Sequence, residues 1–272
     1  MISKQQIKYI RQLQQKKYRD ENDVFLAEGF KIVNEAIHSD PGLLKNLIYT
    51  DESKAKVDFQ LLRKNTILTE VNPSEFSRIT LQSSPQELMA ILKKPKKVLP
   101  PVSRTGDLSI VLDKLQDPGN FGTIIRLADW FGIHHIFCSP DTVDCYNQKV
   151  VQSSMGAIFR VSVHYIDPEP FLKKIKEHSD QTIYGTSLNG QDLFSTDLSA
   201  PAIILFGNES GGISGNVSAL TDKQLSIPHF SLNKNRTESL NVSVAAAIIC
   251  SEFRRRHGGS IQNGTKRRPY GT

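Results

Sequence analysis

Four short segments of this 272-residue chain carry residue types that could do chemistry. They are Asp117-Pro-Gly-Asn-Phe-Gly-Thr-Ile-Ile-Arg126, Phe206-Gly-Asn-Glu-Ser-Gly-Gly-Ile-Ser214, Ser226-Ile-Pro228 and Ser239-Leu-Asn-Val-Ser-Val-Ala-Ala-Ala247. In the first, Pro118 and Gly119 favour a turn, Asn120 can cap a helix and Gly122 permits close backbone approach. Arg126 stands amid apolar residues, where an unpaired buried charge is costly, so it asks for a partner. The second segment follows an apolar run with glycines that would let backbone groups reach a flat nucleoside. It is neither a Walker loop nor a GxGxxG fingerprint, so nothing in it favours ATP or a dinucleotide. Taken singly, Glu209 reads as a surface acid, and Ser239 and Asn241 read as helix caps. Only their combination points to a reaction.

In this order and spacing, the segments resemble the three signature motifs of the SpoU (TrmH-like) RNA ribose 2′-O-methyltransferases, a family of the knotted SPOUT class. The resemblance is strong over residues 108–256 and looser over 3–93, where Phe25-Leu-Ala-Glu-Gly29 is similar to the opening of the family's small substrate-binding domain. It implies transfer of a methyl group from S-adenosylmethionine to a ribose 2′-OH of a structured RNA. No metal is called for, because the sulfonium is already an electrophile and catalysis is mainly positioning.

By the same resemblance, Asn120, Arg126, Glu209, Ser239 and Asn241 form the catalytic set. A ribose hydroxyl is a poor nucleophile, and a guanidinium is ordinarily always protonated. Arg126 is therefore expected to orient the 2′-OH and an RNA phosphate and to relay the proton. Asn120 would position it, and Glu209 would order the cluster. Thr186, Gly207, Asn208, Ile227, Pro228 and Leu240 would line the donor pocket. The stretch from His229 to Glu238 is longer than in many relatives and brings Lys234 and Arg236 beside the site. His229, His134 and His135 read as structural or solvent-facing. The segment 147–157 resembles one that packs the dimer and the site, though core packing explains it as well.

The elements that must position these residues form two α/β units. Residues 3–16 predict a basic helix with Ile7, Ile10 and Leu13 as its apolar stripe. Strands at 24–27, 47–49, 66–69 and 88–92 and helices at 30–37 and from 73 make a small N-terminal domain over 1–93. The lysine- and proline-rich run over 94–105 reads as a linker. In 106–257, strands at 108–112, 135–138, 159–163, 182–184 and 202–206 alternate with helices at 120–131, 149–155, 169–177 and 239–256. That alternation predicts a mostly parallel sheet covered on both faces. The C-terminal trefoil knot is implied by the resemblance alone. Residues 258–272 read as a basic flexible tail.

Composition sets the outer limits. A net charge of +6 suits an anionic partner. Its placement says more: Lys4, Lys8, Arg11, Lys16, Lys17 and Arg19 all precede the first acid, Asp20, and Arg254–Arg256 and Lys266–Arg268 crowd the other end. Lys4, Lys16, Lys17, Arg19 and Arg126 are the candidate RNA contacts, against the plainer reading of a solvated helix face. Three scattered cysteines suit a reduced cytoplasmic chain with no zinc spacing. No apolar run approaches a membrane span, and no secretory leader is visible. The resemblance further implies a homodimer, and tilts the substrate toward ribosomal RNA over transfer RNA. A non-catalytic RNA-binding module and a small-molecule enzyme on a generic α/β fold are the competing readings.

Overall fold

The computed structural model describes residues 2–96, 98–101, 108–231 and 238–257. Among these, two sheets form, one in each half of the chain. The N-terminal half begins with two helices, α1 (Lys4–Gln12) and α2 (Lys16–Asn22), where the sequence predicts one. Ser3 and Gln6 close a capping box on α1. Ile7, Ile10 and Leu13 are buried as their spacing requires. Strand β1 (Val24–Glu28) and helix α3 (Phe30–Ser39) follow, then β2 (Leu44–Tyr49), the single turn α4 (Asp51–Lys54), β3 (Ile67–Glu70), the single turn α5 (Pro73–Phe76) and β4 (Leu88–Lys93). The sheet order is β1-β4-β2-β3, with β4 antiparallel to both neighbours.

The C-terminal half runs β5 (Leu108–Leu112), α6 (Pro118–Trp130), β6 (His135–Cys138), α7 (Gln148–Ser154), β7 (Ser162–Tyr165), α8 (Pro168–His178), β8 (Thr182–Asp192), β9 (Ala202–Phe206), α9 (Gly215–Ser218), β10 (Lys223–Ser226) and α10 (Val242–His257). All its ladders are parallel, in the order β10-β8-β9-β5-β6-β7. The central strands β5 and β9 are buried along their whole length, as strands covered on both faces must be. Leu108, Ile110, Leu112, Ile204 and Phe206 pack toward α6 and α10, while Val111, Ile203 and Leu205 pack toward α8 and α9.

Two expectations shift. The strand placed at 159–163 begins at Ser162, because Ala157–Phe159 forms a 3-10 turn and His135 pairs with Ser162. The last helix begins at Val242, so Ser239, Leu240 and Asn241 precede it. Residues 232–237, with Lys234 and Arg236, lie outside the described residues. So do residues 97 and 102–107, within and beyond the expected linker, and the tail 258–272.

The two halves meet along a seam of specific contacts. Arg19 is 2% exposed. Its Nη2 lies 2.5 Å from Asp144 Oδ2, and its Nη1 donates to the carbonyls of Leu13 (3.0 Å) and Gln14 (2.6 Å). Phe25 packs on Tyr146 with ring centroids 4.6 Å apart. Glu28, also buried, accepts from Gln148 Nε2 at 3.1 Å and from the Thr80 hydroxyl. Its carboxyl is held above the usual range, chiefly by burial. Arg160 pairs with both Glu35 and Asp129. The segment 147–157 thus packs against the chain's own N-terminal half, with Val151 buried in that half's core. A Cβ on Gly122 would meet Ser153 Cβ and Val150 O at 2.5 Å, so glycine here admits α7 against α6.

Candidate active site

Helix α6 opens with Asp117 as its cap, Oδ1 accepting from Asn120 N at 2.7 Å, and Pro118 in its first turn. That fixes Asn120 with its side chain free to bond outward. Asn120 Nδ2 donates to Glu209 Oε1 at 3.0 Å, and Asn120 Oδ1 accepts from Asn241 Nδ2 at 2.8 Å. Asn241 Oδ1 in turn accepts from the Ser243 hydroxyl (2.6 Å), Ser243 N (2.9 Å) and Val244 N (3.4 Å), capping α10. Capping and clustering therefore use different ends of the same amide. Three of the five residues expected to form the catalytic set meet here: Asn120, Glu209 and Asn241. Ser243 joins them, its hydroxyl also 3.4 Å from Asn120 Oδ1, and sequence reading missed it. Its position two residues after a capping asparagine was the available signal. Ser239 is exposed and makes no hydrogen bond to this group.

Arg126 departs from expectation. It is exposed, and among the described residues its guanidinium has no ion pair or hydrogen bond to Asn120 or Glu209. At about 100° per residue, Phe121, Ile124, Ile125 and Ala128 share one side of α6, while Thr123, Arg126 and Trp130 share the other. Apolar sequence neighbours did not make it buried.

Glu209 is held by the turn that carries it. Asn208 and Gly212 exchange backbone hydrogen bonds at 2.9 Å in both directions, and Asn208 Oδ1 accepts from Ser210 N and Gly211 N. Asn208 Nδ2 donates to Lys114 O at 3.0 Å. A Cβ on Gly207 would lie 2.0 Å from the carbonyl carbon of Gly212, so no other residue fits without moving the turn. The far end is anchored by buried Asp113, whose Oδ2 accepts from Ser214 N (2.7 Å) and Ser214 Oγ (2.6 Å). Asn208 therefore shapes the loop from within.

Strand β8 is longer than expected and interrupted. Gln224 pairs with Gly185, but Leu225 pairs with Gln191, so residues 186–190 leave the ladder as an excursion. Ser226 Oγ donates to Leu188 O at 3.1 Å and holds it. Thr186 stands at its start, donating to Leu205 O at 2.9 Å. The ends of β10, β8 and β9 adjoin, so this excursion, the Gly207 turn and Ile227-Pro228 gather at the carboxyl edge of the sheet, where ligands of open α/β sheets bind. Leu188 (68% exposed) and Leu240 (48%) leave apolar surface there, and Ile227 is half-buried. Backbone groups, apolar side chains and a turn too tight for a side chain suit an adenosine-bearing methyl donor. Among the described residues no cluster of His, Cys, Asp or Glu could hold a metal ion. The three cysteines are buried, and burial pushes the Cys250 thiol up to about 12.

The expected RNA contacts divide. Lys4 is exposed and unpaired among the described residues. Lys16 and Lys17 are exposed but face Asp20 and Glu21 one turn on, at 3.3 and 3.9 Å. Arg19 is corrected: sealed in the seam with Asp144, it has no face for a phosphate. The 254–256 run is likewise partly internal, since Arg254 Nε donates to Phe131 O and Arg256 Nη2 to Phe194 O, both at 2.7 Å.

Residues 107–251 match the SpoU rRNA methylase family and residues 4–90 the MRM3-like substrate binding domain. The chain belongs to the SpoU rRNA methylase family. It is 32% identical over 251 residues to the 23S rRNA (guanosine(2553)-2′-O)-methyltransferase RlmP of Bacillus subtilis, covering 92% of this chain and 96% of that protein. A TrmH-family structure from Porphyromonas gingivalis shares 38% identity with a TM-score of 0.82, covering 94% of this chain and 99% of the other. An AdoMet-bound rRNA methyltransferase from Sinorhizobium meliloti shares 30% identity with a TM-score of 0.81, covering 94% and 97%.

Proposed function

We propose that this protein methylates a ribose 2′-OH of ribosomal RNA, with S-adenosylmethionine as donor. The observation that carries the reading is the hydrogen-bonded set Glu209–Asn120–Asn241–Ser243 beside the carboxyl edge of the sheet. The RNA class follows from the rRNA-modifying relatives. Thr186, Gly207, Ile227, Pro228 and Leu240 would hold the donor, with Asn208 shaping the turn. When bound, the donor supplies an electrophilic methyl on a sulfonium, so the chain need only orient and deprotonate the hydroxyl. Asn120 and Asn241 hold their amides fixed, and Glu209 presents a carboxylate whose second oxygen is open to a ribose hydroxyl. Ser239 lies two residues before Asn241 and would reach the ribose from the same segment.

Arg126 would bind the phosphate next to the target, orient the 2′-OH and relay the proton released on methylation to solvent. It sits on the outer stripe of α6 with Trp130, which is 69% exposed, away from its own chain's Asn120. A homodimer packed on that stripe would let the arginine of one copy serve the other's site. Lys4 would grip RNA at the N-terminal half, with Lys16 and Lys17, each facing a carboxylate one turn on, contributing less. No helix among the described residues is long and apolar enough to cross a membrane, and an RNA substrate suits the cytoplasm.

The test is incubation with methyl-labelled S-adenosylmethionine and total RNA from a strain lacking the gene, followed by separation of ribosomal from transfer RNA. Label in ribosomal RNA that blocks alkaline cleavage at one site is the expected result. Label in transfer RNA would correct the substrate. Donor binding without label in any RNA would leave an RNA-binding factor.

A further inference from the structure

Helix α1 presents Lys4, Lys8 and Arg11 at spacings of four and three, which places all three on one face. Gln15 continues the line past the helix end. That face borders a groove of about 440 Å³ completed by Arg78 from the segment after α5. Arg11 Nε donates to the Arg78 carbonyl at 2.7 Å, joining the two sides of the groove, and the Arg11 side chain remains exposed. No acid lines the groove. None of the four cations forms an ion pair among the described residues, whereas Lys16, Lys17 and Lys94 each face a carboxylate.

The groove is also fixed in place. Arg19 accepts no solvent role because it joins the carbonyls at the end of α1, Leu13 and Gln14, to Asp144 of the C-terminal half. A basic surface anchored in this way keeps its distance from the Asn120 cluster. Cations without ion pairs, set at helical spacing along a groove that no acid lines, match a phosphodiester backbone, which repeats its charge along the strand.

We propose that the groove of Lys4, Lys8, Arg11 and Arg78 binds backbone phosphates of the RNA away from the target ribose, and so sets where along the RNA the catalytic cluster can reach. The inference rests on the RNA-methylating function proposed above for its substrate class. Phosphate contacts of this kind position the RNA without reading its sequence.

The experiment compares the full-length protein with a Lys4→Gln/Lys8→Gln double variant and a Lys16→Gln/Lys17→Gln double variant, which loses the same formal charge from α2. Binding of protein-free 23S ribosomal RNA is measured between 50 and 200 mM salt, with donor affinity and melting temperature alongside. The groove variant should bind about tenfold more weakly at 0.1 M salt, and its log–log salt slope should fall by about 1.4 to 1.8, the value for two lost contacts. Donor affinity and melting temperature should match wild type, and the α2 variant should change much less. Equal losses in both variants, or an unchanged slope in the groove variant, would overturn the groove. Methyl transfer with an unchanged slope overturns the groove alone. A groove-dependent slope without methyl transfer to any RNA overturns the catalytic reading alone. No RNA binding by wild type overturns both.

Discussion

Asn241 Nδ2 donates to Asn120 Oδ1 at 2.8 Å, joining residues 121 positions apart in the chain. One lies in the first turn of α6 and the other at the cap of α10, so the two helix starts face one another across the site. Each asparagine spends one end on the other and one end elsewhere, Asn120 on Glu209 and Asn241 on the α10 cap.

Replacing Asn120 by Ala removes its side-chain links to Glu209, Asn241 and Ser243 while leaving its backbone bond to Asp117. Methyl transfer should fall about 100-fold, as when an aligned polar group is lost from a preorganised site. Donor affinity should stay within about threefold of wild type, because Asn120 is absent from the donor edge. Single-turnover rates with calorimetric donor titration check this, and equal losses in both would make the residue structural.

Gly207→Ala has the opposite signature. Its Cβ would overlap the Gly212 backbone, so the turn must open and carry Glu209 with it. Donor binding should be lost together with turnover, while circular dichroism stays near wild type. An alanine variant that binds donor normally would show that the turn does not border the donor.

Arg19→Met leaves the Asp144 carboxylate, whose side chain is 10% exposed, without its partner. Breaking a buried pair from one side costs about 3 kcal/mol or more. Urea denaturation should show that loss, and it should persist at high salt, unlike that of an exposed pair. RNA affinity at saturating protein stability should be unaffected by any direct phosphate contact, since the residue has none.

Glu252 carries a pH dependence whose sign is fixed. Hydrogen bonds from Arg255 and then Arg256 hold its carboxyl at about 2, below the ordinary value of 4.5. A depressed folded value contributes stability above the unfolded value and loses it as pH falls through the folded one. Glu252→Gln should therefore lower the melting temperature at pH 7, by an amount that shrinks from pH 4.5 downward and vanishes near pH 2. A difference independent of pH would assign the effect to packing.

The parts of this fold legible in sequence are those where burial on both sides wrote a continuous apolar run. Leu108–Leu112, His135–Cys138 and Ala202–Phe206 coincide with β5, β6 and β9 to the residue. Strand β10, Lys-Gln-Leu-Ser, has one buried side chain, Leu225, and so no periodic signal. The break between α1 and α2 contains neither glycine nor proline, and is set instead by Arg19 capturing the carbonyls of Leu13 and Gln14. Asn120, Glu209 and Asn241 were legible because motif order constrains long-range neighbours. The placement of Arg126 was not, since a helix turns a residue about 100° away from the apolar neighbours that flank it in sequence.

The seam of Arg19–Asp144, Glu28–Gln148, Glu35–Arg160 and Phe25–Tyr146 crosses between the halves at four separate places. Contacts of this number and burial couple the melting of one half to that of the other, so heat should take the molecule apart in one cooperative step and not domain by domain. The covalent connection around residue 100 then carries little of the mechanical load. Two fragments expressed separately and cut there have the means to find each other and rebuild the whole.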